Sequence, residues 1–157
     1  MVDSSKLIKA YGDPSINTID WERKNMLLWK LPPLIHLAIP CMPARIYMHN
    51  KFIPVVQAWL TELVKEGLSG EIITYDGCWN VRKKRGLRTL SIHAFGMAID
   101  LNASHNPLGL TAAQCSAKGL KPFTPAFIEC SRQFVDSGAD WISRPDGMHF
   151  QIKKGQA

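Results

Sequence analysis

SIHAFGMAID, residues 91–100, decides how this chain is read: Met97, Ile99 and then Leu101 alternate with Ala98, Asp100 and Asn102. A β-strand sends successive side chains to opposite faces, so the first set enters a core and Asp100 stands on the other face. Gly96 and Ala98 leave that face uncrowded, and His93 reaches it from the turn before the strand. A second stretch, DGMHFQI at residues 146–152, repeats the logic: Met148, Phe150 and Ile152 point one way, His149 and Gln151 the other. Each stretch presents a metal-ligating residue type from the polar face of a strand.

Working outward, the strands are expected at Met97–Asn102 and Met148–Ile152, with a further strand at Asp140–Ser143 across the turn Arg144-Pro145-Asp146-Gly147. Glu71–Tyr75 (EIITY), closed by Asp76-Gly77, reads as another strand. Phe52, Val55, Val56, Trp59, Leu60, Leu63 and Val64 follow helical spacing, with Asn50 as N-cap, Pro54 in the first turn and Gly67 as stop. Thr124-Pro125 opens a second helix whose apolar face (Phe127, Cys130, Phe134, Val135) runs until Gly138. A short helix fits Ser5–Tyr11 before Gly12, Asp13 and Pro14, and residues 13–45, rich in proline, read as mostly irregular. Residues 103–123 exceed an ordinary connection and are expected to border a substrate cleft. Helices and strands fall in unequal clusters without steady β-α alternation, which predicts an α+β domain with a small, mainly antiparallel sheet flanked by helices.

At 157 residues, 46% apolar and 20% charged, the chain fits one domain over residues 1–157: a wrapping N-terminal segment (1–44) and a catalytic core (45–152). No apolar run approaches the roughly 18 residues needed to span a bilayer, so stable membrane insertion is not expected. The start, MVDSSKLIKAYG, lacks a signal peptide's basic and apolar regions, which predicts synthesis in the cytoplasm. Cys41, Cys78, Cys115 and Cys130 form no C-x-x-C pair and are expected as reduced thiols, with Cys130 in the core. The net charge of +6 favours polyanions, a class that includes nucleic acids and the phosphate-rich bacterial envelope. Arg82, Lys83, Lys84, Arg85 and Arg88 concentrate that charge; alone they suit a solvated loop as well as a nucleic-acid contact, and no nucleic-acid partner is expected.

Two imidazoles and a carboxylate, His93, His149 and Asp100, form a catalytic zinc set: they fill three tetrahedral positions and leave the fourth open to water. Zinc acidifies water and polarises a carbonyl, and a separate base must take the proton. Asp146, three residues before His149 across a glycine-containing turn, suits that task. His36, His49 and His105 have no partner at suggestive spacing and read as ordinary histidines.

Together, S-x-H-x-x-G-x-A-x-D (Ser91, His93, Gly96, Ala98, Asp100) and the late D-x-x-H (Asp146, His149) resemble the zinc D-alanyl-D-alanine carboxypeptidase and L-alanyl-D-glutamate endopeptidase family. Within it the likeness is nearest to phage and prophage cell-wall peptidases, where the acid before the last histidine is often Asp. The resemblance implies a Hedgehog/D,D-peptidase-like fold, one zinc ion and bacterial peptidoglycan as the partner. It implies an L-alanyl-D-glutamate endopeptidase, with a D,D-carboxypeptidase or a catalytically silent wall-binding or virion protein as alternatives. It implies action on the cell wall after release from the cytoplasm or from a virion. The segment GCWNVRKKRG is similar to the one holding the family's arginine, which maps to Arg82, beside Arg85 and Arg88. By that likeness Arg82 steadies the substrate carbonyl or oxyanion, while Ser91 binds substrate or holds the turn before His93. The loop Ser143-Arg144-Pro145 departs from the family's glycine-rich link after Trp141. A monomer is the simplest expectation.

Overall fold

The computed structural model describes residues 2–156. In chain order its elements are α1 (Ser4–Tyr11), α2 (Thr18–Asn25), β1 (Met26–Lys30), α3 (Pro33–Ala38), β2 (Arg45–His49), α4 (Ile53–Lys65), β3 (Tyr75–Gly77), β4 (Ala98–Leu101), α5 (Ala112–Ala117), α6 (Pro125–Arg132), β5 (Asp136–Ser137) and β6 (His149–Gln151). β1 and β2 form an antiparallel pair, and the remaining strands form an antiparallel sheet in the order β3-β4-β6-β5. The architecture is α+β, as the clustering of elements predicts. Among the described residues no helix is long and apolar enough to cross a membrane.

The core lies between the four-stranded sheet and α4 and α6. On α4 the helical stripe buries Val56, Trp59, Leu60 and Leu63. Trp59 packs at 4.9 Å from the Phe150 ring of β6 and donates its indole N–H to Ser131 Oγ of α6 at 3.0 Å. Ser131 in turn donates to the Phe127 carbonyl, so the polar atoms in this apolar layer are satisfied. Phe123 and Phe127 stack at 4.1 Å over the same strand. Leu7, Trp21 and Ile35, from the first three helices, join this core.

Several boundaries differ from the sequence reading, each for a local reason. Residues 13–45 hold α2, β1 and α3; Pro33 starts α3 instead of breaking it, because the first helical position needs no N–H. Asn50 does not cap α4, whose N-cap position is Phe52; the Asn50 N–H instead bonds the Asn25 carbonyl. Residues 72–74 are not strand, because Asn102 Oδ1 accepts the N–H groups of Ile73 and Thr74 that a sheet would have used. α6 ends at Arg132, ahead of Gly138, since Asp136 and Ser137 pair with Gln151 and Phe150 of β6. The strand expected at 140–143 is absent. There a 3-10 turn (Gly138–Asp140) leads into a loop closed by the Asp146 N–H on the Gly138 carbonyl at 2.9 Å.

Candidate metal centre

β4 and β6 run antiparallel with Asp100 directly opposite His149, and directly opposed residues project from the same face of a sheet. His93 comes from a 3-10 turn, Ile92–Phe95, that Ser91 caps by accepting the His93 N–H on Oγ at 3.4 Å. Gly96 ends this turn at φ +64°. A Cβ there would stand 2.6 Å from Met26 Cε and 2.9 Å from the His49 nitrogen, so glycine is required by both conformation and space. The His49 N–H bonds the Gly96 carbonyl at 3.0 Å and fastens β2 behind the turn.

These elements bring His93 Nε2, His149 Nδ1 and Asp100 Oδ1 to 3.1 Å from one another in each of the three pairs. What lies behind each ring fixes which atom faces inward. His93 Nδ1 lies 2.7 Å from the Cys78 carbonyl, which can only accept, so the proton sits on Nδ1 and Nε2 offers a lone pair. His149 Nε2 donates to Gln151 Oε1 at 3.0 Å, while the Gln151 amide N–H is spent on the Val2 carbonyl at 3.3 Å. His149 Nδ1 therefore also offers a lone pair.

Two lone pairs and an anion converging on one point repel each other unless a cation joins them. Donor atoms about 2.1 Å from a tetrahedral zinc ion stand about 3.4 Å apart, close to the observed triangle. His93, Asp100 and His149 could thus hold a metal ion. Hydrogen bonds behind both imidazoles are the usual support of such ligands.

Asp146 lines the same cavity as the triangle. Burial, reinforced by the Asp100 charge, raises its carboxyl above the ordinary value. Its buried Oδ1 has no hydrogen-bond partner among the described residues. Gly138 presses on its backbone: a Cβ at 138 would fall 2.3 Å from the Asp146 carbonyl oxygen and 3.0 Å from its Cβ. The glycine taken from sequence as a helix stop is therefore the seat of the acidic loop.

The triangle and Asp146 line a cavity of about 810 Å³. One wall is the hairpin around Lys83 and Leu90, and the other is the loop 141–146. Arg144 Nη1 donates to the Arg85 carbonyl at 3.0 Å and links the walls. Arg82 and Arg85 both line the cavity, as does Ser91; among the described residues the Arg82 side chain makes a 3.5 Å contact to the Lys83 carbonyl. Met148, read as a core residue, lines the cavity beside Trp141 instead, because it precedes β6 and is not bound by the strand's alternation. Of the long segment 103–123, Leu108 lines the cavity and the Gly109 N–H bonds the Pro145 carbonyl of the wall loop at 2.7 Å, while Asn106 bonds the Asn102 carbonyl and the Phe123 N–H. The four cysteines are free, with Cys130 buried.

Sequence reasoning missed the Cys78 carbonyl, Gln151 as a partner, Gly138 and Arg144. Gln151 carried a signal, since i and i+2 share a strand face; a backbone carbonyl such as that of Cys78 carries none.

A family model described as D-alanyl-D-alanine carboxypeptidase matches residues 85–152, less than half of the chain. No curated protein and no solved structure matches. The matched span contains Ser91, His93, Asp100, Asp146 and His149 but stops short of Arg82, and it supports reading the chain as a peptidase of that kind.

Proposed function

We propose that this protein is a zinc-dependent peptidase that hydrolyses the stem peptides of bacterial peptidoglycan, as an L-alanyl-D-glutamate endopeptidase. The observation that carries this reading is the convergence of His93 Nε2, Asp100 Oδ1 and His149 Nδ1 at 3.1 Å from one another, in a cavity that Asp146 also lines. One zinc ion held there would supply a Lewis acid and acidify water.

The chain's own residues would do the rest. Asp146, poorly solvated and with a raised carboxyl, takes the proton from the attacking water and returns it to the leaving amine. Arg82, with its fixed fork of donors, steadies the carbonyl oxygen as charge grows on it. Ser91 holds the turn that aims His93 and stands in the wall where substrate would lie.

Aspartate at 146 and the likeness to phage cell-wall peptidases favour endopeptidase action, by a monomer released onto the wall as an endolysin or carried in a virion. The description of the matched family favours a second reading, removal of terminal D-alanine. Digestion of purified peptidoglycan by the zinc-loaded protein, with mass spectrometry of the fragments, separates the two. New amino termini on D-glutamate are expected. Loss of terminal D-alanine would install the carboxypeptidase, and no metal-dependent product would remove the peptidase reading.

A further inference from the structure

The basic run singled out in the sequence is only partly used by the chemistry above. Arg82 is assigned to the reacting carbonyl, yet Lys84, Arg85 and Arg144 also line the cavity. Among the described residues none of these three forms an ion pair. Arg132 shows the contrast: it holds Glu129 at 2.6 Å and Asp140 at 2.7 Å. That pairing matters to the cavity, because Asp140 lines it and its charge is already answered. Asp100 belongs to the metal triangle, and Asp146 feels Arg144 through charge without an ion pair. The cavity wall therefore carries cations with no protein anion of their own. Arg144 spends one N–H on the Arg85 carbonyl, and a guanidinium has five such donors. Leu87, Leu108, Trp141 and Met148 line the same cavity, an apolar lining suited to small aliphatic side chains.

Unpaired cations over an apolar wall fit a short peptide with several carboxylates and small side chains. We infer that Lys84, Arg85 and Arg144 read free carboxylates of the stem peptide, the D-glutamate α-carboxylate and that of the diamino acid beyond it. The protein then selects unamidated stems and discriminates against those whose carboxylates are amides. This inference rests on the peptidase reading.

The test compares two synthetic stem peptides, one with free carboxylates and one with both amidated, as substrates of the zinc-loaded protein. A charged hydrogen bond contributes enough for about a tenfold preference or more in kcat/KM for the free peptide, shrinking as salt rises. The double variant Lys84→Gln, Arg85→Gln should bring that ratio toward one. It leaves the bond between the walls in place, because Arg144 binds the backbone of residue 85. Lys84→Arg with Arg85→Lys keeps both charges and should restore the preference, which a general loss of folding would not. Equal cleavage of the two peptides, or a preference that survives the double Gln variant, overturns the inference and leaves the peptidase reading standing. Metal-dependent cleavage of neither peptide removes both.

Discussion

At the floor of the cleft each candidate ligand side chain stands on a strand or a tight turn, and both imidazoles are gripped from behind, by the Cys78 carbonyl and by Gln151. The mouth is built from a hairpin and a loop whose side chains reach into solvent; Ile142 is 99% exposed and Leu87 58%. The difference separates two tasks. Holding three donor atoms near tetrahedral spacing needs groups that cannot move far, and strands with second partners provide that. Accepting a flexible peptide needs walls that can vary, and loops provide that without disturbing the floor.

Substitutions at the floor should therefore be costly and those at the mouth mild. The largest effect is expected from Asp146→Ala, which should retain zinc and lower kcat about 10²- to 10⁴-fold. Gly138→Ala should approach the same loss by displacing the Asp146 backbone, with metal still bound. Rates measured beside metal content check both; a fully active Gly138→Ala protein would show that the loop is not seated as described.

Acid should loosen the floor from behind. His49 is fully buried against Tyr11 and Trp21, and burial, with Lys51 adding to it, lowers its pKa from 6.5 to about 4. The unfolded chain binds this proton more readily, so stability is intact above pH 6.5 and falls as pH drops toward 4, by about 3 kcal/mol in full. Denaturant melts of the wild type and His49→Phe across that window check the sign; the variant should lose the part of the slope that His49 supplies.

Gln151→Leu keeps the volume but removes the bond that turns His149 Nδ1 inward, and should weaken zinc about 10- to 100-fold in a chelator competition. At the mouth, Ile142→Ser should change stability by no more than about 0.5 kcal/mol, because the side chain has no burial to lose. A large loss there would mean the mouth is as tightly built as the floor.

Much of the floor was legible in the sequence because its residues alternate along strands. Asp100 and His149 lie on the polar faces that the periodicity implies, and the structure adds that they are opposed in register. Asn102 shows where that logic stops: alternation would put it on the face of Asp100, but it lies past the end of β4 at φ +52° and its side chain is spent on residues 71–74, shifting the preceding strand to Tyr75–Gly77. The helix read on to Gly138 ended early because β6 recruited residues 136–137, a tertiary demand without local trace. Cys78 acts through its backbone and Gly138 through lack of a side chain, and neither leaves a pattern to read. The mouth was half legible. Its basic residues were visible, but their meeting with Arg144 depends on two loops far apart in the chain.

The central claim is tested most directly by titrating zinc into the metal-free wild type, Asp146→Ala, His93→Ala, Asp100→Ala and His149→Ala, with folding checked in each. One tightly bound ion in the wild type and in Asp146→Ala, and none in the three ligand variants, is the predicted result. Stoichiometric zinc in any of the ligand variants would contradict the assignment of the site.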